Sequence, residues 1–158
     1  MSDCSHSVMK SKFYLFILFL FGGFVLCAQE AGLGKEVLYD RSVESALITK
    51  CYVCHNPRIK KSEDLIAPPM VAVKYMYKLR YLTQEEFVSK MMQFVSSPND
   101  ARAVMRGRVM EHGVMPDMSF SEEEAKSIAE FVYTENIEVP TWYPAFFERK
   151  YGIKWEVQ

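Results

Sequence analysis

The sequence predicts an all-α domain. Apolar residues recur at helical spacing in several segments, two capping boxes open such segments, and no stretch shows the apolar–polar alternation of a strand. The chain has 158 residues, which is enough for one domain of ordinary size. Its 19 Lys and Arg residues nearly balance 20 Asp and Glu residues, so charge gives no indication of a nucleic-acid partner.

The first predicted helix covers residues 35–50 and ends where a close cysteine pair begins. Gly32 and Gly34 provide a flexible lead-in, and residues such as Leu38 and Leu47 supply a loose apolar face. Pro57 prevents the helix from continuing past the cysteine pair, because proline lacks the N–H group and restricts the residue before it.

The capping boxes predict where two later helices begin. Thr83 with Glu86 opens a helix to about Ser96, and Ser121 with Glu124 opens another to about Glu135. Two further helices are predicted. A short helix covers Val71 to Tyr81, and a second helix begins at a cap formed by Asn99 or Asp100 and ends at about Glu111. The apolar faces of the two capped helices consist of Phe87, Met91, Phe94 and Val95 in the first and Ala125, Ile128, Ala129 and Val132 in the second.

The two ends of the chain differ from the predicted domain, which spans residues 29–136. Residues 1–28 have the charged start, apolar core and small final residue of a secretory signal peptide, with cleavage expected after Ala28. An uncleaved anchor or a lipid-modified Cys27 is the alternative, although the apolar segment is shorter than the about 20 residues of a spanning helix. Residues 137–158 form a tail that contains six large aromatic residues, Trp142, Tyr143, Phe146, Phe147, Tyr151 and Trp155.

The residues that carry the chemistry are Cys51, Cys54 and His55, in the pattern C-x-x-C-H. This spacing is typical of covalent haem attachment. Two thiols on one helical turn can each add to a vinyl group of the same porphyrin, and the imidazole that follows can then bind the iron. We therefore predict one covalent haem c, attached through Cys51 and Cys54, with His55 as an iron ligand.

Three other roles for the cysteine pair are weighed against haem. A structural zinc site takes four ligands, and beyond the C-x-x-C-H motif only His112 and the leader's His6 remain as further histidines. A thioredoxin-type redox pair belongs in a βαβ setting, which the sequence lacks. A disulfide between residues this close in sequence closes a very short loop and stabilises little.

The sixth iron ligand is predicted to be Met115, which lies in a loop and is followed by the rigid Pro116. A thioether ligand favours ferrous iron and raises the reduction potential. Met118 and His112 are the alternatives in the same stretch, Met110 on the preceding helix is another competitor, and an open coordination site is a further possibility. Three more methionines lie on predicted helices, where filling the core is the simpler explanation, namely Met91, Met92 and Met105.

The order of these motifs resembles that of the mono-haem class I cytochromes c. The motifs are Cys51 to His55, the segment Ile66-Ala67-Pro68-Pro69-Met70, the loop Gly113 to Pro116 and the helix from Ser121 to Val132. The resemblance covers about residues 33–136. It implies an all-α domain wrapped around one haem.

The same resemblance assigns further roles to individual residues. It implies that the Pro68 carbonyl accepts a hydrogen bond from Nδ1–H of His55, which would orient the ring and increase its basicity. It also implies that Met70 packs on the haem, and that the first and last helices cross near Tyr39 and Phe131.

The expected function is one-electron transfer outside the cytoplasmic membrane, in the periplasm or on the membrane's outer face. With both axial positions of the iron filled, substrate cannot bind the metal, so an electron carrier is expected rather than an enzyme. The alternative is a cytochrome subunit of a larger redox enzyme or respiratory complex, which the aromatic tail favours unless that tail folds back over its own domain. A haem sensor would instead need a weak or missing sixth ligand. The expected partners are redox proteins or a membrane respiratory complex.

Overall fold

The computed structural model describes residues 41–156, and every regular element within that range is helical. The all-α prediction is therefore confirmed for this part of the chain, which contains no strand. The helices, numbered in chain order, are α1 (41–46), α2 (Met70–Arg80), α3 (Gln84–Ser96), α4 (Arg106–His112), α5 (Glu122–Thr134) and α6 (Tyr143–Tyr151). A π-helical turn over Leu47–Cys51 continues α1, and short 3₁₀ turns cover Ser62–Asp64 and Asp100–Arg102.

Some predictions lie outside the described residues. They include the leader over residues 1–28 and the start of the first helix, with its glycine lead-in and Tyr39. Between residues 41 and 156, no helix combines the length and the apolar character that crossing a membrane requires.

Both capping boxes begin helices as predicted. The Thr83 hydroxyl accepts a hydrogen bond from the Glu86 backbone N–H at 3.2 Å, and the Ser121 hydroxyl accepts one from Glu124 at 3.1 Å. Each bond satisfies a backbone donor that the first helical turn leaves free, and such caps contribute about 1 kcal/mol of stability. They fix the starts of α3 and α5, which make the most extensive helix-to-helix contact in the domain.

The core forms where these two helices meet. Phe87 of α3 and Ala129 and Val132 of α5 are completely buried. The Phe87 ring contacts the rings of Tyr133 and Tyr77, with centroids 5.1 and 5.4 Å apart. The whole predicted apolar face of α5 is buried, whereas the last two residues of the α3 face, Phe94 and Val95, are only half-buried.

The prediction of one helix from Asn99 or Asp100 to Glu111 is wrong. Asn99 does cap an element, since its side chain accepts a hydrogen bond from the Arg102 N–H at 3.0 Å, but that element is a single 3₁₀ turn. The chain is extended at Ala103, whose side chain is buried, and helix α4 starts only at Arg106. The break occurs although local propensity allows a continuous helix, and the buried Ala103 shows that tertiary packing surrounds it.

The predicted aromatic tail contains a helix, α6, that the sequence did not indicate. Tyr143 and Phe147 lie one turn apart and are buried, and the Phe147 ring meets Tyr75 of α2 edge-on at 4.9 Å. The Trp142 indole donates a hydrogen bond to the Ile59 carbonyl at 2.8 Å. Gly152 ends the helix in the left-handed conformation, with φ of 70°. These aromatic rings therefore pack against other elements of the described domain.

A buried lysine joins α2 to the end of α5. Only 3% of Lys74 is exposed, and its Nζ donates a hydrogen bond to the Glu135 carbonyl, the C-cap of α5, at 2.6 Å. Burial lowers the pKa of Lys74 from 10.5 to about 8, with a smaller contribution from the nearby charge of Lys78. The amine is held where the partial negative charge of a helix end favours a cation.

This lysine predicts a pH dependence of stability. Because its pKa is lower in the folded chain, the unfolded chain binds more protons between about pH 8 and 10.5. Its contribution to the free energy of unfolding therefore rises with pH over that range, by up to about 1 kcal/mol per pH unit. We expect the free energy of unfolding of wild type minus that of Lys74→Met, measured with urea, to increase from pH 8 to 9.5. Lys90→Met, which removes an exposed lysine, is the matched control, and equal pH slopes for the two variants would contradict the assignment.

Candidate haem-attachment site

A tight turn at the end of α1 presents the cysteine pair. The helix widens into a π-helical turn that ends at Cys51, and the backbone N–H groups of Cys54 and His55 then both donate to the Cys51 carbonyl, at 3.2 and 2.8 Å. π-Helical turns are rare and occur often at functional sites. The turn holds the three side chains within one compact segment.

All six predicted site residues line one cavity, here called the motif cavity. They come from three separate stretches of chain, and they are Cys51, Cys54, His55, Pro68, Met70 and Met115. The motif cavity is mostly apolar, and the half-buried Phe94 and Val95 of α3 contribute to its wall. The sequence predicted both as part of the apolar face of this helix and did not indicate their place at the site.

The predicted hydrogen bond between His55 and Pro68 is present. Nδ1 of His55 lies 2.5 Å from the Pro68 carbonyl oxygen, so Nδ1 carries the proton. Burial lowers the pKa of His55, and the bond to the carbonyl opposes this in part. The imidazole is therefore favoured in its neutral form with Nε2 free of a proton, which is the form that binds a metal.

The two thiols are free. Burial, together with the nearby Glu124 carboxylate, raises the pKa of Cys51 to about 11. Redox-active and metal-binding cysteines act as thiolates and usually have lowered pKa values. The surroundings of Cys51 thus differ from those of a thioredoxin-type pair.

An ion pair anchors the motif to α5. Lys50 precedes the cysteine turn, and its Nζ lies 2.6 Å from the Glu124 carboxylate and 4.9 Å from the centre of the Phe120 ring. Both partners are about one-third exposed, so the pair is worth little as a surface salt bridge alone. It nevertheless connects the end of α1 with the first turn of α5. The predicted contact between Tyr39 and Phe131 lies outside the described residues.

The cavity wall that includes Met115 also includes the predicted alternatives for the sixth iron ligand. Met118 and His112 both line the motif cavity, as do Met91 and Met105. Met110 is 88% exposed and lies outside this wall, and so does Met92. Of the competing methionines on helices, these two are therefore poorly placed to act as ligands.

His112 carries an unsatisfied polar atom. Its Nε2 is buried and has no hydrogen-bond partner among the described residues, and the nearest carboxylate oxygen, from Glu111, is 3.7 Å away. A buried imidazole nitrogen left without a partner is costly, and a metal ion is one group that would satisfy it. The structure therefore gives His112 more weight as a sixth ligand than its position in the sequence did.

The motif cavity is lined by side chains of the kinds that can hold haem. Within residues 41–156 no three His, Cys, Asp or Glu side chains are grouped closely enough to hold a metal ion. Two thiols, a neutral imidazole and an apolar wall with thioether or imidazole donors suit a covalently held iron porphyrin. Comparison with protein-family models, curated proteins and solved structures found no match for this chain.

Proposed function

We propose that this protein transfers single electrons by means of one covalently bound c-type haem, as the mono-haem class I cytochromes c do. The observation that carries the proposal is the convergence of all six sequence-predicted residues on one cavity. Cys51 and Cys54 would hold the porphyrin, His55 and Met115 would bind the iron, and the Pro68 carbonyl would fix the His55 ring. The haem supplies the reversible one-electron redox step, and the chain sets its potential and its exposure.

An electron carrier is favoured over an enzyme because the iron would have protein ligands on both faces. Partner proteins would then exchange electrons at the exposed edge of the site. Ile66 and Val114 line the motif cavity and are 62% and 40% exposed, so they offer apolar contact at its rim. Transient redox encounters need only small interfaces, below about 1,200 Å².

The alternative is a cytochrome subunit of a larger redox enzyme or respiratory complex. The aromatic residues after position 137 suggested this role, since exposed rings would need a partner. In the structure several of these rings contact one another and Tyr75, which reduces the need for an external partner. We therefore retain the independent carrier as the primary proposal, located outside the cytoplasmic membrane as residues 1–28 predict.

The proposal is tested on the full chain, expressed in cells that export proteins and attach haem. The pigment that remains after acid–acetone extraction should give the alkaline pyridine spectrum of a haem whose two vinyl groups are saturated, at one haem per chain. Reduced protein should not bind carbon monoxide readily. A colourless product, or haem that is fully extracted, contradicts the proposal, and rapid carbon monoxide binding favours a sensor instead.

A further inference from the structure

A second cavity shares part of its wall with the motif cavity. We call it the basic cavity, after the five cationic side chains that line it, Arg80, Arg102, Arg106, Arg108 and Lys150. Its volume of about 810 Å³ lies within the roughly 300–1,000 Å³ typical of small-molecule sites. Of the six predicted haem residues only Pro68 contributes to it, so the proposed electron transfer leaves this cavity without a role.

Positive charge exceeds negative charge in the basic cavity. Two carboxylates, from Glu63 and Glu111, face the five cations. Glu111 is already paired with Arg108, with 2.5 Å between Oε2 and Nη1. Arg80 lies in the last turn of α2 and forms no ion pair among the described residues. An excess of one sign in a concave, partly enclosed site concentrates ions of the opposite sign.

The remaining arginines keep hydrogen-bond donors for a ligand. Arg102 donates to the Ser97 carbonyl at 3.0 Å, and Arg106 donates to the Ala101 carbonyl at 3.4 Å. Each guanidinium has five N–H donors, so one such bond positions the group and leaves most donors available. Arginine donors in this planar arrangement match carboxylate and phosphate oxygens in pairs.

Aromatic rings form another part of the same wall. Trp142, fixed by its bond to Ile59, meets Phe146 edge-on with centroids 5.7 Å apart. Lys150 Nζ lies 5.5 Å from the ring centres of both Phe146 and Tyr151. Cations and aromatic rings thus line the same cavity, a combination suited to a flat ring that carries negative groups.

We propose that the basic cavity binds a small anion built on a planar ring and bearing carboxylate or phosphate groups. The arginines bind the anionic groups and the aromatic wall contacts the ring. The carboxylates of the proposed haem have the same chemistry, and Arg108 lines both cavities. The experiment must therefore distinguish an external ligand from the protein's own cofactor.

Calorimetric titration of the isolated full chain, with whatever cofactor it carries, tests the proposal. The probe is naphthalene-2,6-dicarboxylate, and the controls are the uncharged naphthalene-2,6-dimethanol and inorganic phosphate. We expect saturable one-to-one binding of the dicarboxylate that weakens with added salt, and at least about tenfold weaker binding of either control.

Variants locate the binding. Arg80→Gln and Arg106→Gln should each weaken the dicarboxylate about tenfold, since each removes charge-assisted hydrogen bonds. Arg149→Gln is the matched control, because Arg149 is exposed on α6 and does not line the cavity. An equal loss in all three variants would mean general surface attraction and would overturn the site.

Two further results would also overturn it. One is the absence of saturable binding, or equal binding of the charged and uncharged probes. The other is that the dicarboxylate binds to the Cys51→Ala/Cys54→Ala variant but not to the haem-loaded wild type, which would mean that the haem carboxylates occupy the cavity. A colourless wild-type chain that still binds the dicarboxylate would refute the proposed haem function and leave this proposal standing.

Discussion

The double variant Cys51→Ala/Cys54→Ala is expected to lose all covalently held haem. Thioether bonds from these two sulfur atoms are the covalent attachment that the proposal includes, and both thiols line the motif cavity. After acid–acetone extraction the variant protein should be colourless, whereas wild type should keep its pigment. The effect is all-or-none, because without a thioether bond the haem is held by ligation and packing, which acid and organic solvent disrupt.

The single variants separate attachment from folding. Cys51→Ala and Cys54→Ala each leave one sulfur, so some haem should remain bound to protein after extraction, with one vinyl group intact in its pyridine spectrum. Val53→Ala is the control within the motif, since the Val53 side chain is 61% exposed and does not line the cavity. It should keep the wild-type spectrum. Pigment that resists extraction from the double variant would show that attachment occurs elsewhere.

The site could be predicted from the sequence largely because its chemistry is local. The residues Cys51 to His55 are contiguous, so their spacing alone brings two thiols and an imidazole together on one turn. The starts of α3 and α5 were predictable for the same reason, since Thr83 and Ser121 bond to backbone groups three residues away. Local hydrogen bonding favours such features independently of contacts with distant parts of the chain.

The features that the sequence did not reveal depend on contacts between distant residues. The extended backbone at the buried Ala103 separates a 3₁₀ turn from α4, and no nearby residue signals this break. Helix α6 forms where Tyr143 and Phe147 can pack against α2, although its composition suggested only an aromatic tail. The unsatisfied Nε2 of His112 results from the way α4 is placed against the cavity. Tertiary packing of this kind overrides local preference.

The second prediction with a large effect concerns the sixth ligand. Met115→Ala should abolish the weak long-wavelength absorption that a ferric haem shows when a thioether binds it, and should open the ferrous iron to carbon monoxide. It should also lower the reduction potential, by on the order of a tenth of a volt within the roughly 0.8 V range that axial ligands span. The physical reason is that a thioether stabilises ferrous iron, and alanine offers no ligand.

Three companion variants decide among the donors on this wall of the cavity. If Met115 is the ligand, Met118→Ala and Met105→Ala should keep the absorption and the closed iron, although both residues line the motif cavity. His112→Ala should behave in the same way if Met115 is the ligand. A wild-type spectrum without the thioether absorption, together with carbon monoxide binding only in His112→Ala, would assign the buried Nε2 to the iron in place of Met115. The covalent attachment would be unaffected by that result, since the cysteine variants test it separately.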